Sequence, residues 1–400
     1  METPPQGRRR WLIMGTYILM TGFYWISLYL YVPTLPTYVE TKTETLALLG
    51  VILAQYGLWQ AIVRLPVGIA ADWLGRRKPF ILAGVLLAGL GAWVMGSADS
   101  ATGLLLGRAI TGLAAATWVP LTVMFSSLFP PDQAVRATSI LSVVASVSRL
   151  AATVSTGSLN ELGGYSLAFF LATGFAAVSA LILLPAPEKT RAPQRPSLRS
   201  TGQLIVRRDV LVPALLSAVA QYAIWAVPFA FLPILAERLG AGDVTLSLLV
   251  SLHIATFILG GLVATTLAER AGSRNLVRIS FGFLSLGIVV LALAPSLPLL
   301  FVGQFIFGLA VGTAYPVLMG LSIRDVDEEG RTTAMGLHQA VYAAGMFAGP
   351  WLSGILADAM GIRPMLGVTA AGCLALGMFL VRLCPGRQTS KQASRASGEA

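Results

Sequence analysis

The sequence predicts an all-α membrane protein in which twelve transmembrane helices form two six-helix bundles. Three observations predict it: long apolar runs, basic residues that alternate loop by loop, and an internal repeat. The 400 residues are 56% hydrophobic and only 12% charged, with a mean hydropathy of +0.75. Apolar stretches repeatedly exceed the roughly 20 residues needed to cross a bilayer core. Most basic residues fall in alternate connections, as at Arg8–Arg10, Arg76–Lys78, Arg136, Lys189–Arg208, Arg270–Arg278, Arg324, Arg331 and Arg382–Arg395. Lys42, Arg238 and Arg363 occupy the other set. This is the positive-inside pattern, and it puts both termini in the cytoplasm. The net charge of +10 is therefore a topology signal, and nucleic acid is excluded as a partner, because a polyanion-binding surface would not alternate in this way.

Taken in order, Arg8-Arg9-Arg10 precede an apolar run that continues to about Val39 without a small-residue cleavage site, so it is a retained span and not a signal peptide. Spans are expected near 11–39, 45–71, 79–97, 103–129, 137–160, 165–184, 210–236, 244–268, 276–294, 297–323, 332–356 and 364–384. Residues 1–184 form the first bundle and 210–384 the second. Between them, 185–209 is rich in proline and basic residues and lacks apolar periodicity, which predicts a cytoplasmic linker. The tail, 385–400, is expected to be disordered.

The halves repeat at an offset of about 196 residues. Gly107-Arg108 with Gly112, Thr117 and Pro120 fall on Gly303-Gln304 with Gly308, Thr313 and Pro316. Pro36 and Glu40 fall on Pro233 and Glu237, Asp72 and Gly75 on Glu269 and Gly272, and Arg136 on Arg331. Matched glycine, proline, acid and arginine are not what apolar composition alone produces.

Between spans 2 and 3 the chain reads G-I-A-A-D-W-L-G-R-R-K, Gly68 to Lys78. Gly75 permits a tight reversal, and the three basic residues hold the loop at the cytoplasmic face. The spacing G-x-x-x-D-x-x-G-R-R resembles the corresponding loop of the major facilitator superfamily. Arg108-x-x-x-Gly112 in span 4 resembles a second motif, whose arginine the family associates with coupling. Gly345, Gly349, Pro350 and Gly354 in span 11 resemble the glycine-proline signature usual in span 5 of the family's drug antiporters, which span 5 here lacks. Trp73 also stands where a basic residue commonly follows the motif aspartate.

The resemblance extends from about Trp11 to Leu383. It implies that the bundles are related by a pseudo-two-fold axis and rock about a central site. It also implies a cytoplasmic gate built from Gly68, Asp72, Gly75, Arg76, Arg77 and Arg136 on one side and Glu269, Arg274 and Arg331 on the other.

Arg64, Arg108 and Arg149 lie inside spans, where an arginine costs roughly 2.5–3.5 kcal/mol on insertion scales and needs a wet cavity or a partner. No acidic residue lies equally deep, so the first-bundle wall of the cleft is expected to be electropositive and to take an anion or an acidic amphiphile. Gln304, the repeat mate of Arg108, joins the predicted cavity. So do Tyr24, Trp25, Tyr222, Trp225 and Phe229, which supply the amphipathic rings suited to a bulky organic solute.

Glu40, His253 and His338 are the candidates for coupling to a proton gradient. Metal-ligand spacing, H-E-x-x-H, G-x-S-x-G and a phosphate-binding G-x-x-x-x-G-K-[ST] are all missing, which argues against an enzyme, a cofactor or direct drive by ATP. Cys373 and Cys384 sit about 16 Å apart on one helix, too far for a disulfide. The expectation is a monomeric, multi-pass carrier of the cell membrane: a proton-coupled efflux antiporter for an amphiphilic or anionic metabolite or drug. Organic-anion uptake and a non-transporting receptor are the alternatives.

Overall fold

The computed structural model describes residues 8–130, 133–188 and 207–384, so most of the expected linker and the whole tail lie outside the described residues. The described residues are helices and short connections, with no strand among them. Span 1 runs Arg8–Tyr29 and continues through a tight turn, Val32–Thr34, into Leu35–Glu40. The break follows from proline chemistry. Pro33 lacks an N–H, and its ring crowds the carbonyl of the residue four positions earlier, which is Tyr29.

Span 2 is Leu46–Leu74 and begins on Thr45, whose hydroxyl accepts the Leu48 N–H at 3.2 Å. It ends at Gly75, where φ is 64° and a side chain would be strained. Span 3 is Lys78–Gly96. Span 4, expected as one helix, is two: Ala101–Ala116 and Trp118–Ser126. Here Pro120 acts on the carbonyl of Ala116 by the same geometry.

Spans 5 and 6 share one long stretch, Ala134–Leu183, divided where Gly163 and Gly164 leave helical geometry, with φ 70° at Gly164. Span 7 runs Arg208–Ala226, widens into a π-turn at Val227–Phe231 around Pro228, and resumes at Leu232–Arg238. Spans 8 to 12 are Asp243–Ala271, Ser273–Leu293, Leu297–Arg324, Glu328–Met360 and Ile362–Leu383.

The first and last described residues, Arg8 and Cys384, and the Gly68–Lys78 loop mark one end of the molecule, here the basic end. The bundles meet in the half remote from it. Gly50 lies against the carbonyl of Pro350 and the Cα of Gly354, and Gly57 against the backbone of Met346 and Phe347, so spans 2 and 11 approach to backbone contact. Gly157 of span 5 lies likewise against Asp243 and Val244 of span 8.

Side chains tie the same half. Arg238 donates to Glu40 at 2.8 Å, the Leu46 N–H to Asp358 at 3.0 Å, and Ser251 to Thr153 at 2.8 Å. Towards the basic end spans 2 and 11 part: no atom of span 11 lies within 4 Å of a methyl built at Gly68, nor any of span 2 near one at Gly336. The cleft between the bundles therefore opens to the basic end. The glycines of span 11 serve this packing, since Gly345 and Gly349 lie against the backbone of span 7 and Gly354 against span 2.

The Gly68–Lys78 loop is stapled within its own bundle. Arg77 pairs with Asp72 at 2.5 Å. Glu188 accepts from the Arg77 and Lys78 N–H groups that open span 3, the second at 2.8 Å. Lys78 donates to the carbonyls of Leu184 and Ala186 at 2.6 and 2.7 Å, where a cation suits the end of span 6.

Candidate functional site: an aromatic and cationic cleft

The cleft narrows to a group of rings contributed by both bundles. The span 1 and span 7 breaks at Pro33 and Pro228 stand close to Tyr29 and Phe229, whose rings meet edge to face at 6.2 Å. Trp225 packs on Phe229 at 5.0 Å and stacks on Tyr56 of span 2 at 4.9 Å. Trp25 joins Tyr29 to Trp118, at 5.7 and 5.3 Å. On the other side Phe229 reaches His253, Phe257 reaches Tyr315, and Tyr315 reaches Tyr342. Rings of this kind make a wall that takes flat apolar surface while presenting a few polar edges.

Three guanidinium groups stand against these rings in different settings. Arg149 is half-buried in span 5, with its charge 4.9 Å from the Trp25 ring and 5.5 Å from that of Tyr29. Its hydrogen bonds are local: Nε to the Ala145 carbonyl at 3.2 Å and one Nη to the Ser146 hydroxyl at 3.1 Å. Arg64 is 6% exposed. One Nη donates to Tyr342 at 2.6 Å, the other to Gln60, and its Nε has no partner. Arg108 is 2% exposed, 4.3 Å from the Tyr56 ring and 5.8 Å from that of Trp225, and its Nε is likewise unpartnered. None of the three pairs with a carboxylate among the described residues. The chemistry is that of cations on aromatic faces.

Several expected cavity residues are elsewhere. Tyr24 turns into the first bundle and donates to the Ala114 carbonyl at 2.6 Å. Successive helical residues are rotated about 100° apart, so Tyr24 and Trp25 cannot both face the centre. Tyr222 turns into the second bundle, with its hydroxyl 2.9 Å from that of Ser353. Gln304 is fully buried with neither amide atom hydrogen-bonded, and Arg108 is sealed behind Tyr56 and Trp225. Trp25, Trp225, Phe229, Arg64 and Arg149 remain in the central group.

Glu40 makes its ion pair with Arg238 at the far end of the bundles. His253 is buried among Phe229, Phe257 and Phe307, with Nδ1 unpartnered. His338 is buried, with Nδ1 2.7 Å from the Ser322 hydroxyl. At the basic end Arg274 bonds the carbonyls of Val381 and Arg382, inside its own bundle. Arg136 is exposed, and the side chain of Arg331 lies outside the described residues.

Sequence reasoning missed Gln60, Tyr56, Tyr315 and Tyr342. Only Gln60 carried a local signal, lying four residues before Arg64 on the same helix face.

Twelve spans in two bundles around a cleft lined by rings and fixed cations define a polytopic solute carrier. The family model of the Major Facilitator Superfamily matches residues 17–220 and 214–400, and the chain belongs to that superfamily. That superfamily is one of secondary transporters and not of enzymes. It is 22% identical over 388 residues to an uncharacterised MFS-type transporter, MJ1560, of Methanocaldococcus jannaschii, covering 92% of this chain and 95% of that one. It is 32% identical over 111 residues to the inner membrane transport protein YajR of Escherichia coli. That match covers 28% of this chain and 23% of YajR, and matches to curated relatives at this identity span about a third of their length or less.

Among solved structures, a bacterial homologue of the human lysosomal transporter Spinster, in an inward-facing and unoccupied conformation, superposes with a TM-score of 0.79. It is 16% identical, and the overlap covers 95% of this chain and 98% of that one.

Proposed function

We propose that the transported solute is a small organic anion with a flat apolar body, held between Arg149 and the rings of Trp25, Tyr29 and Phe229. The observation that carries this is Arg149: a half-buried cation with local neutral hydrogen-bond partners, facing two aromatic rings, with no carboxylate beside it. A fixed positive charge in a narrow apolar cleft attracts an anion and repels a cation. The basic end is the cytoplasmic side of a cell membrane, both termini lie there, and the chain works as a monomer.

The solute enters from that side and is exported in exchange for protons, with His253 and His338 as the titratable groups of the central region. Glu40, tied to Arg238, acts instead in closing the far end. In the opposite state the basic end closes through the loops carrying Gly68, Asp72, Gly75, Arg76, Arg77 and Arg136 and those carrying Glu269, Arg274 and Arg331. The Asp72–Arg77 pair is then re-made across the gap.

A melting-temperature screen of the purified protein against organic anions, cations and neutral solutes at two pH values tests the reading. Stabilisation by anions that disappears in Arg149→Ala supports it, and selective stabilisation by organic cations refutes it. Counterflow of the stabilising solute in proteoliposomes then distinguishes transport from binding without turnover.

A further inference from the structure

We infer that the Tyr342 hydroxyl is a stand-in for the solute's acidic group on Arg64, and that displacing it is how solute binding loosens the contact between spans 2 and 11. The inference rests on the anion reading above and adds a second anchor and a coupling step to it. Arg64 belongs to the first bundle and Tyr342 to the second. Their 2.6 Å hydrogen bond sits at one end of the contact line between the two spans. On the far side of it Gly50 and Gly57 touch span 11; on the basic side Gly68 and Gly336 have no atom of the opposite span within 4 Å. The bond is thus at the apex of the cleft, where an entering solute arrives.

The partners of Arg64 are poor matches for its charge. A guanidinium is built for a bidentate acid, whose two parallel N–H···O bonds place an opposite charge on the acceptor side, which a neutral phenol or amide oxygen does not. Arg64 instead has a phenol and an amide, and a buried Nε with nothing. Tyr342 is not locked to Arg64 alone: its ring also meets Tyr315 at 6.3 Å and His338 at 6.1 Å, so it keeps aromatic partners in the second bundle when the bond breaks. From Tyr342 the ring contacts run without a break through Tyr315, Phe257, His253 and Phe229 to Tyr29, on which Arg149 stands, so the two cations border one wall.

A carboxylate there takes the Arg64 fork from Tyr342 and Gln60. A ligand shifts a conformational equilibrium only by binding one state better. The Arg64–solute contact meets that condition, because it forms only when the tie between the bundles is released.

The test uses 1-naphthoate and its neutral isostere 1-naphthamide as probes, with affinities measured by calorimetry on the full chain in detergent. The wild-type protein is expected to prefer naphthoate. Tyr342→Phe, which removes the competitor and keeps the ring, is expected to tighten naphthoate about fivefold to tenfold, the equivalent of one ordinary hydrogen bond, and to leave naphthamide unchanged. Gln60→Glu, which places a permanent acid beside Arg64, is expected to weaken naphthoate at least about tenfold and spare naphthamide; it carries the test if Tyr342→Phe does not fold.

Equal or absent binding of the two probes to the wild-type protein overturns the anion reading itself. A wild-type preference for naphthoate that a folded Tyr342→Phe leaves unchanged, or that Gln60→Glu leaves unchanged where Tyr342→Phe does not fold, leaves that reading standing and overturns the role given to Tyr342.

Discussion

A single methyl group at Gly57 is expected to drive the transporter towards the state closed at its basic end. A Cβ there falls 2.5 Å from the carbonyl carbon of Met346 and from the nitrogen of Phe347, and 2.8 Å from the Met346 oxygen. Non-bonded heavy atoms are comfortable at about 3.5–4.0 Å, so spans 2 and 11 must separate by roughly 1 Å. The atoms in the way are backbone and cannot rotate aside. Overpacking of this kind costs about 1–3 kcal/mol.

The cost falls only on the state in which these spans touch, so Gly57→Ala shifts the ratio of the two states by roughly 5- to 150-fold. Spin labels at Glu44→Cys and Met360→Cys, both exposed and at the far end, report the separation by electron–electron distance measurement. The native Cys373 and Cys384 are buried, which limits background labelling. Gly57→Ala is expected to add a longer-distance population. The control is Gly282→Ala, where a methyl meets nothing within 4 Å and the distribution should stay put. An unchanged distribution in a Gly57→Ala protein that melts like the wild type would refute the assignment of the sealed half to this helix pair.

Other expectations follow from the same contacts. Glu188→Ala removes the acceptor for two N–H groups opening span 3 and is expected to cost about 1–2 kcal/mol, read as a lower melting temperature and faster amide exchange at Arg77 and Lys78. Glu40→Gln breaks a partly exposed pair, so a shift in the Glu44–Met360 distance population of no more than about fivefold is expected, fading as salt rises. Arg108→Met exchanges a buried, acid-free cation for an apolar side chain of similar length; the melting temperature is expected to hold or rise, and a large fall would mean that stacking on Tyr56 outweighs burial of the charge.

At the basic end the Arg324 guanidinium beside Asp325 holds that carboxyl below the usual carboxylate range. Because the folded value is the lower one, the contribution is present above the unfolded value, near 3.9, and is lost as pH falls through the depressed one. Asp325→Asn should therefore change melting only slightly, and should flatten the part of the melting–pH curve that lies below about pH 4.

What could be read from the chain alone divides along a physical line. Membrane insertion imposes rules that leave local traces, so the spans, the alternation of charge and the repeat were legible from runs of residues. The same holds for Gly75 and for the break at Gly163–Gly164, which falls between the two spans expected there. Proline positions were visible, but not which of them would interrupt a helix: Pro120 breaks span 4, while its repeat mate Pro316 lies within a continuous span 10.

The site was less legible because composition places a ring on a span without giving the helix rotation. That is why Trp25 faces the centre and Tyr24 does not. Pairs such as Arg64–Tyr342 and Glu40–Arg238 join residues 278 and 198 positions apart, and no local pattern signals them.

They also belong to one conformation. A chain that must seal its cleft at either end has to encode two sets of partners at similar free energy, or it would stop in one state. On the gate proposed above, that second set draws on Asp72, satisfied here by Arg77 in its own loop, and on Glu269, for which no ion pair is seen among the described residues. The motif loop was the most recognisable stretch of the sequence, yet it takes no part in joining the bundles here: its ion pair and hydrogen bonds run to Asp72, Leu184, Ala186 and Glu188.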